Sequence, residues 1–406
     1  MNVLPPIPYI APPTEMVQMV DDMPSASIIN DTRLAETFST FTFSNYNRTR
    51  VCADYKQSLI TSQSPDMSNH WCAELICSGA IYDACECISH VLSKNACSLN
   101  PKLAIFVDRQ IQLVLSHANP DADMTTSSAN SLFNDTSIGM GNELLVNRTN
   151  HPSGHALSRP KKLPTRTVLD RQKNILLRNR KFVRELMAEL TYMVWQSPKA
   201  VGCDTITISS VDEFERGQMV ERLHAPLDNF AREIWMKDDS DEMRIAANEF
   251  AYQISNNRSN KNTLDAVYWI EWTIEFDQLC RTKKQPLQCG RRIQYPVDIK
   301  YQTSAIWMLW DILIYYARAQ NELFAKIVES LSNLFCIRYK SSMIKKRRHL
   351  LYCAVRLFTE SVDFNAPIMS RNGNIGDTKN DTKNDTKNAV HNIYTRIMSA
   401  WIKNKR

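Results

Sequence analysis

The sequence predicts an all-α protein, built as a multi-helix bundle or an irregular helical array. Apolar residues recur at helical spacing through most of the chain, for example at Phe182, Leu186 and Leu190. Only 9 of the 406 residues are glycine, whereas all-β sandwiches and nucleotide-binding α/β folds need many glycine turns. The links between the apolar segments are short and polar, which is typical of neighbouring antiparallel helices.

The chain begins with an extended arm that is followed by a helical unit. Residues 1–30 hold six prolines, which remove backbone donors and block helix formation, so we expect an extended Pro-rich arm that is idle or lies along a partner. Residues 31–117 are predicted to form an N-terminal helical unit. Its predicted helical segments run through Leu34 and Phe38 after an Asp31-Thr32 cap, over 65–79 with Gly79 at the end, over 80–94, and from Leu103 to Leu115.

Residues 118–165 have no helical periodicity. They are rich in Ser, Thr, Asn and Asp, and Phe133 is their only aromatic residue. Such a segment cannot bury enough apolar surface to offset the entropy lost on ordering. We therefore expect a disordered central insert.

Residues 166–364 are predicted to be the main helical body. It starts with a single strong helix over 167–197, which Pro198 stops. The aromatic segments 268–272 and 307–310 are predicted to be core anchors that face each other, and a surface groove for a peptide helix is the alternative.

The C-terminal part of the chain contains a tandem repeat. The motif Asp-Thr-Lys-Asn occurs three times in succession and predicts a solvated low-complexity linker over 365–388. Residues 389–406 then carry a last short helix with Val390, Ile393 and Ile397 on one face.

Cysteine content and the terminal sequence bear on the compartment. Most of the 11 cysteines lie within apolar runs, which predicts buried free thiols in a reducing compartment. The N-terminus lacks a basic segment followed by an apolar one, so we expect a protein that is not secreted. The most apolar run, 305–317, contains Asp311 and is too short to span a bilayer.

No motif for catalysis or nucleotide binding occurs in the sequence. It contains neither a phosphate-binding glycine loop nor the Gly-x-Ser-x-Gly turn of a serine hydrolase. We therefore predict no enzyme activity, no cofactor and no small-molecule substrate, with an unrecognised helical active site as the alternative.

A cluster of cysteines and histidines raises the question of a metal site. Zinc sites usually show paired spacings with turn residues between the ligands, whereas these spacings are irregular and the neighbours are apolar. Small hydrophobic core residues are the preferred interpretation, and no metal is predicted. The cluster consists of His70, Cys72, Cys77, Cys85, Cys87, His90 and Cys97.

Two carboxylates lie one turn apart on a predicted helix. Glu271 and Glu275 should repel each other unless they are paired or bind a metal. Because the Glu-x-x-His pairs of di-metal bundles are missing, a solvated helix face is the preferred interpretation.

Segregated charge is the strongest functional signal. The net charge is only +6, yet residues 161–184 hold nine Lys or Arg against one acid, and 204–242 hold eleven acids against four bases. This alternation favours a protein partner of opposite charge or self-assembly, with nucleic acid as an alternative and ordinary helix-end charge as the simplest explanation. The candidate basic interaction surface comprises Arg171, Lys173, Arg178, Arg180, Lys181, Arg184, Lys345, Lys346, Arg347 and Arg348.

Four segments carry a family resemblance: WCAELICSG (71–79), NPKLAI (100–105), YWIEWTIEFDQLC (268–280) and RRHLLYCAV (347–355). They resemble stretches of an uncharacterised protein of nucleocytoplasmic large DNA viruses, of the algal-virus and giant-virus kind. The resemblance covers about half of the chain, outside the arm, the insert and the repeat, and brings no catalytic residues. It implies a viral protein found in the host cytoplasm or the virion.

Together with the missing catalytic motifs, the resemblance predicts a non-enzymatic structural or scaffolding protein, such as a minor virion component, with viral protein partners. The alternative is a nucleic-acid-associated accessory factor in viral replication, transcription or translation.

Overall fold

A computed structural model describes the protein at Ile29 and at residues 31–118, 166–208, 211–255, 262–285, 287 and 289–364. Within these residues every named element is helical, and the only β contact is an isolated antiparallel bridge between Phe41 and Asn47. The prediction of an all-α protein is confirmed. The Pro-rich arm apart from Ile29, the central insert apart from Ala118, the low-complexity linker and the C-terminal helix lie outside the described residues.

Twelve α-helices form the described part of the chain. The first six are α1 (Arg48–Thr61), α2 (Pro65–Cys77), α3 (Ile81–Val91), α4 (Leu103–Ala118), α5 (Arg166–Leu176) and α6 (Lys181–Gln196). The others are α7 (Arg216–Glu221), α8 (Asp241–Ile254), α9 (Thr263–Thr282), α10 (Ile306–Gln320), α11 (Glu322–Cys336) and α12 (Ile344–Thr359). A π-helical turn over Leu92–Ala96 follows α3, and short 3₁₀ turns occur between other helices.

The N-terminal helices begin and end at residues suited to those positions. The side chain of Ser64 accepts a hydrogen bond from the backbone of Asp66 at the start of α2, and Pro65 occupies the first turn, where its missing N–H costs nothing. After α2, Gly79 adopts a φ of 67°, which glycine tolerates best. The predicted segment through Leu34 and Phe38 is only a 3₁₀ turn over Ala35–Phe38.

The predicted single helix over 167–197 is wrong, because the chain breaks between α5 and α6. A 3₁₀ turn over Leu177–Asn179 leads to Arg180, whose backbone is extended. Arg178 turns inward at this break and donates to the carbonyl oxygens of Ile29 and Asp31 at 3.3 and 3.1 Å. The Asn179 side chain accepts from the Ile29 backbone N–H at 2.9 Å. These contacts to the N-terminal segment offset the helical hydrogen bonds lost at the break.

One core joins the two predicted helical units. A continuous cluster of buried apolar side chains extends from Val51 in α1 to Phe358 in α12. Across the two units, α2 packs on α6, α4 packs on α6 and α11, and α12 packs on the π-helical turn. The N-terminal unit (31–117) and the main body (166–364) therefore share a single hydrophobic interior.

The aromatic segments predicted to anchor the core are buried. Trp272, Trp307 and Trp310 are each less than 2% exposed. Trp272 contacts Phe276 on its own helix, with ring centroids 4.6 Å apart, whereas Trp307 stacks on Tyr295 at 4.4 Å. The core interpretation is confirmed, but within the described residues no ring contact joins the two segments, so the expectation that their rings face each other is not met.

Candidate interaction surface

Several residues of the predicted basic surface are not at the surface. Arg178 is 4% exposed and Arg184 is 5% exposed, so neither guanidinium is available to a partner. The pKa of Arg178 is lowered, mainly by burial and also by the charge of Arg33. Cys77 and Asp31 oppose this shift. Arg171 is half-buried beside the carbonyl oxygen of Ala35. Between Arg171 and Arg184, exposed basic side chains remain at Lys173, Arg180 and Lys181.

Arg347 is the clearest correction to the predicted surface. Its side chain is 6% exposed and contacts both carboxylate oxygens of Glu86 in α3, at 2.6 to 3.1 Å. It also donates to the carbonyl oxygens of Phe335 and Ile337 at the end of α11. A guanidinium offers five donors in a fixed fork, which suits such a convergence of acceptors. Arg347 therefore connects α3, α11 and α12 rather than facing a partner.

The two neighbouring cations of α12 are paired with the carboxylates of α9. Arg348 lies 3.1 Å from Glu271, and Lys345 lies 2.6 Å from Glu275. Glu271 is 2% exposed and also accepts a hydrogen bond from the Tyr352 hydroxyl, so its assignment to a solvated face was wrong. Burial raises the pKa of Glu271, and the hydrogen bond from Tyr352 and the charge of Arg348 oppose that rise.

This pairing explains how a helix can begin with four cations. Positive charge at a helix N-terminus is opposed by the helix dipole, by about 0.3–1 kcal/mol for each exposed charge. The first turn of α12 contains no acid of its own. Carboxylates from α3 and α9 compensate three of its cations, which leaves Lys346 exposed without such a pair among the described residues.

The antiparallel packing of α9 and α12 creates a different basic region. Thr263 at the start of α9 meets Thr359 at the end of α12, with 2.7 Å between their hydroxyl oxygens. The residues after α9 therefore lie near the start of α12. Four exposed lysines come from these two segments, and we call them the basic end: Lys283, Lys284, Lys340 and Lys346.

Carboxylates border the basic end. Cys280 lies in the last turn of α9, and its pKa is raised. Burial is the main cause, Asp277 and Glu242 also raise this pKa, and Lys283 opposes them. Glu242 belongs to the first turn of α8 and is exposed. Glu242, the last residue of the acidic segment 204–242, and Lys283 thus both act on the Cys280 thiol, so this region carries both signs of charge.

The cysteine and histidine cluster does not assemble as a metal site. Cys72, Cys77 and Cys85 are buried in the core, and burial raises the pKa of each thiol. His90 instead meets His349 of α12, with ring centroids 5.1 Å apart, and burial lowers the pKa of both imidazoles to about 4. Within the described ranges no three His, Cys, Asp or Glu side chains are grouped as metal ligands.

A buried ion network in the segment before α10 was missed by the sequence analysis. The guanidinium of Arg292 is fully buried and contacts both carboxylate oxygens of Asp239, at 2.7 and 2.8 Å. It also lies 3.0 Å from Asp311, which accepts from the Tyr295 hydroxyl at 2.7 Å. The available signal was Asp311 itself, since a lone acid within an apolar helix needs a buried partner.

No protein-family model, curated protein or solved structure matches the chain. The viral resemblance stays a prediction, and the functional argument depends on the geometry of the charged residues. None of the helices in the described ranges has the length and apolar character that crossing a membrane requires.

Proposed function

We propose that the protein is a non-enzymatic structural or scaffolding protein of a large DNA virus, placed in the virion or the host cytoplasm, and that it binds protein partners through the basic end. The viral assignment depends on the sequence resemblance. The scaffolding role is supported by the exposed lysines of the basic end, which are available to a partner.

The observation that carries the proposal is the mixed charge around the basic end. Lys283 and the exposed Glu242 both act on the Cys280 thiol, so a phosphate backbone bound at the lysines would also approach a carboxylate. Nucleic-acid sites instead favour an uninterrupted positive surface, because affinity comes from neutralising consecutive phosphates. A protein surface with both signs of charge can match this arrangement and fix its own register.

The nucleic-acid alternative remains a second candidate because exposed lysines are available. Lys340 and Lys346 flank the start of α12, and Lys283 and Lys284 follow α9. Such lysines can each contact a phosphate without reading sequence. The two candidates predict different salt dependence, since phosphate binding weakens steeply with salt.

A pair of matched charge reversals separates the candidates. The test variant is Lys340→Glu with Lys346→Glu, and the control is Arg180→Glu with Lys181→Glu. Both change the net charge by the same amount, and all four side chains are exposed. We expect the test variant to lose partner proteins that co-purify with the wild type from infected cells, as measured by quantitative mass spectrometry, and the control to retain them.

Binding of duplex and single-stranded nucleic acid is measured for the same variants over a range of salt concentrations. We expect weak binding that is equal in all three proteins. A steep wild-type salt dependence whose slope falls by about 2 in the test variant, close to 0.9 per lost phosphate contact, would support the nucleic-acid role. Mass spectrometry of purified particles tests the virion assignment, and absence from the particles contradicts it.

A further inference from the structure

Two thiols meet where α1 packs on α3. Cys87 is 4% exposed, and its sulfur lies 3.5 Å from the carbonyl oxygen of Cys52. The two thiols also affect each other's ionisation, since Cys87 lowers the pKa of Cys52. Cys52 itself is half-buried, so it is the more accessible residue of the pair, whereas Cys87 is buried.

Cations flank the accessible thiol. Arg48 and Lys56 lie one helical turn before and after Cys52 on α1, and Arg48 forms an ion pair with Asp83 of α3. The neighbouring Cys87 thiol lowers the pKa of Cys52, and Arg48 and Lys56 lower it further, against burial and the charge of Asp83. A thiolate is the reactive form of cysteine, and neighbouring cations favour it.

The other half-buried cysteines have the opposite environment. Burial raises the pKa of Cys203, and burial together with Asp277 raises that of Cys280. A second pair of neighbouring thiols, Cys97 with Cys353, is fully enclosed, because these residues are 0% and 2% exposed. Access, a cationic setting and a partner thiol thus occur together at Cys52.

We propose that Cys52 and Cys87 are a redox-reactive pair, which a peroxide oxidises to a disulfide that links α1 to α3. The Cys52 thiolate attacks one oxygen of hydrogen peroxide, and breaking of the O–O bond gives the sulfenic acid of Cys52 and hydroxide. The Cys87 sulfur then attacks the Cys52 sulfur, and its proton leaves with the sulfenic oxygen as water. The two thiols lose two electrons together, and peroxide is reduced.

This site is independent of the proposed scaffolding function. In a reducing compartment such a disulfide is transient, and exchange with a small thiol such as glutathione restores both cysteines. The pair is therefore oxidised when the protein meets peroxide and is reduced again afterwards.

Peptide mapping of the full-length protein tests the proposal. The folded protein is treated with hydrogen peroxide, and its remaining thiols are blocked with N-ethylmaleimide. Digestion with trypsin and Glu-C cleaves after Arg50, Lys56, Glu86 and Lys94, which isolates each thiol in a peptide with one cysteine, 51–56 and 87–94. We expect a disulfide between these two peptides, while the enclosed pair of Cys97 and Cys353 stays reduced.

Rates of alkylation at pH 7 give a second readout that needs no oxidant. Lowering the pKa of a thiol by one unit raises its thiolate fraction about tenfold. The thiolate is then also less nucleophilic, so the reaction rate rises by only about threefold. We expect Cys52 to react faster than Cys203 and Cys280, by about threefold for each unit of difference between their pKa values. Equal rates for these three thiols would contradict the proposed activation of Cys52.

Two variants assign the roles of the thiols. Cys87→Ala should leave Cys52 as a sulfenic acid that dimedone traps, and Cys52→Ser should abolish the cross-link and the dimedone adduct together. Should Cys87→Ala fail to fold by circular dichroism, Cys87→Ser keeps the polar contact and gives the same readout. Peroxide treatment of the folded wild type that yields neither the cross-link nor a dimedone adduct at Cys52 would overturn the proposal.

Discussion

Replacing Arg292 with methionine should destabilise the protein strongly. Methionine retains an unbranched apolar stem like that of arginine but lacks the guanidinium, which lies between Asp239 and Asp311. Both carboxylates then stay in the interior without a neighbouring cation. Asp239 keeps only the hydrogen bonds from the backbone N–H groups of Met236 and Gly290. Breaking one member of a buried ion pair costs about 3–5 kcal/mol, because it leaves uncompensated buried charge. We expect a loss of that size in the free energy of unfolding.

The assay is equilibrium unfolding in urea, followed by circular dichroism at the helix band. The matched control is Arg318→Met, which removes an equally short contact, since Arg318 lies 2.6 Å from Glu329 on an exposed surface. Exposed ion pairs contribute about 0–1 kcal/mol, so the control should unfold almost as the wild type does. A loss of less than about 1 kcal/mol for Arg292→Met would refute the reasoning, because the buried pair would then behave like a surface pair.

The pH dependence of the same variant gives an independent check. Burial opposes ionisation of Asp239, but hydrogen bonds from Arg292 and the backbone outweigh it and lower the pKa of the carboxyl below its usual 3.8. A lowered carboxyl pKa gives stability that is present above the unfolded-state value and is lost as pH falls through the folded-state value. The wild type and Arg292→Met should therefore converge in stability as the pH falls below 4.

Two further predictions concern a glycine turn and the histidine pair. Gly79→Ala should cost at least about 1–2 kcal/mol in urea unfolding, because φ is 67° and a new Cβ would lie 2.7 Å from the Arg171 carbonyl oxygen. Gly217→Ala, in a helix with no atom within 4 Å of the new Cβ, should instead stabilise by up to about 1 kcal/mol. His90 and His349 have pKa values lowered to about 4, so the folded state binds fewer protons than the unfolded state, and stability falls with pH below about 6.5. His90→Gln combined with His349→Gln should flatten that fall in urea midpoints measured between pH 7 and pH 4.5, and an unchanged slope would contradict the assignment.

Helical periodicity was enough to predict the fold class, because apolar stripes are local in sequence. The buried segment 307–310 was recognised in this way. Helix α1 was not predicted, because its buried face is narrow. Its large buried residues are Val51, Tyr55 and Leu59, and their neighbours along the helix are mostly polar. Local pattern is therefore informative about wide apolar faces and less so about narrow ones.

The candidate surface was harder to predict, because the partners of its cations are remote in sequence. Arg347 pairs with Glu86, which is 261 positions away, and Arg348 pairs with Glu271, which is 77 positions away. A run of lysines and arginines looks the same in the sequence whether it faces water or a carboxylate of another helix. Only the antiparallel packing of α9 and α12 distinguishes Arg348 from the exposed Lys346.

The shared interior has a consequence for how the polypeptide can be divided. Helix α4 ends at Ala118 and α5 begins at Arg166, so 47 residues separate two stretches that complete each other's apolar surfaces. Cutting the backbone between them would remove a covalent connection and none of the packing of α4 on α6 and α11. The two fragments would then be the subunits of an obligate heterodimer. Each fragment expressed alone would expose the apolar surface that the other fragment covers in the intact protein.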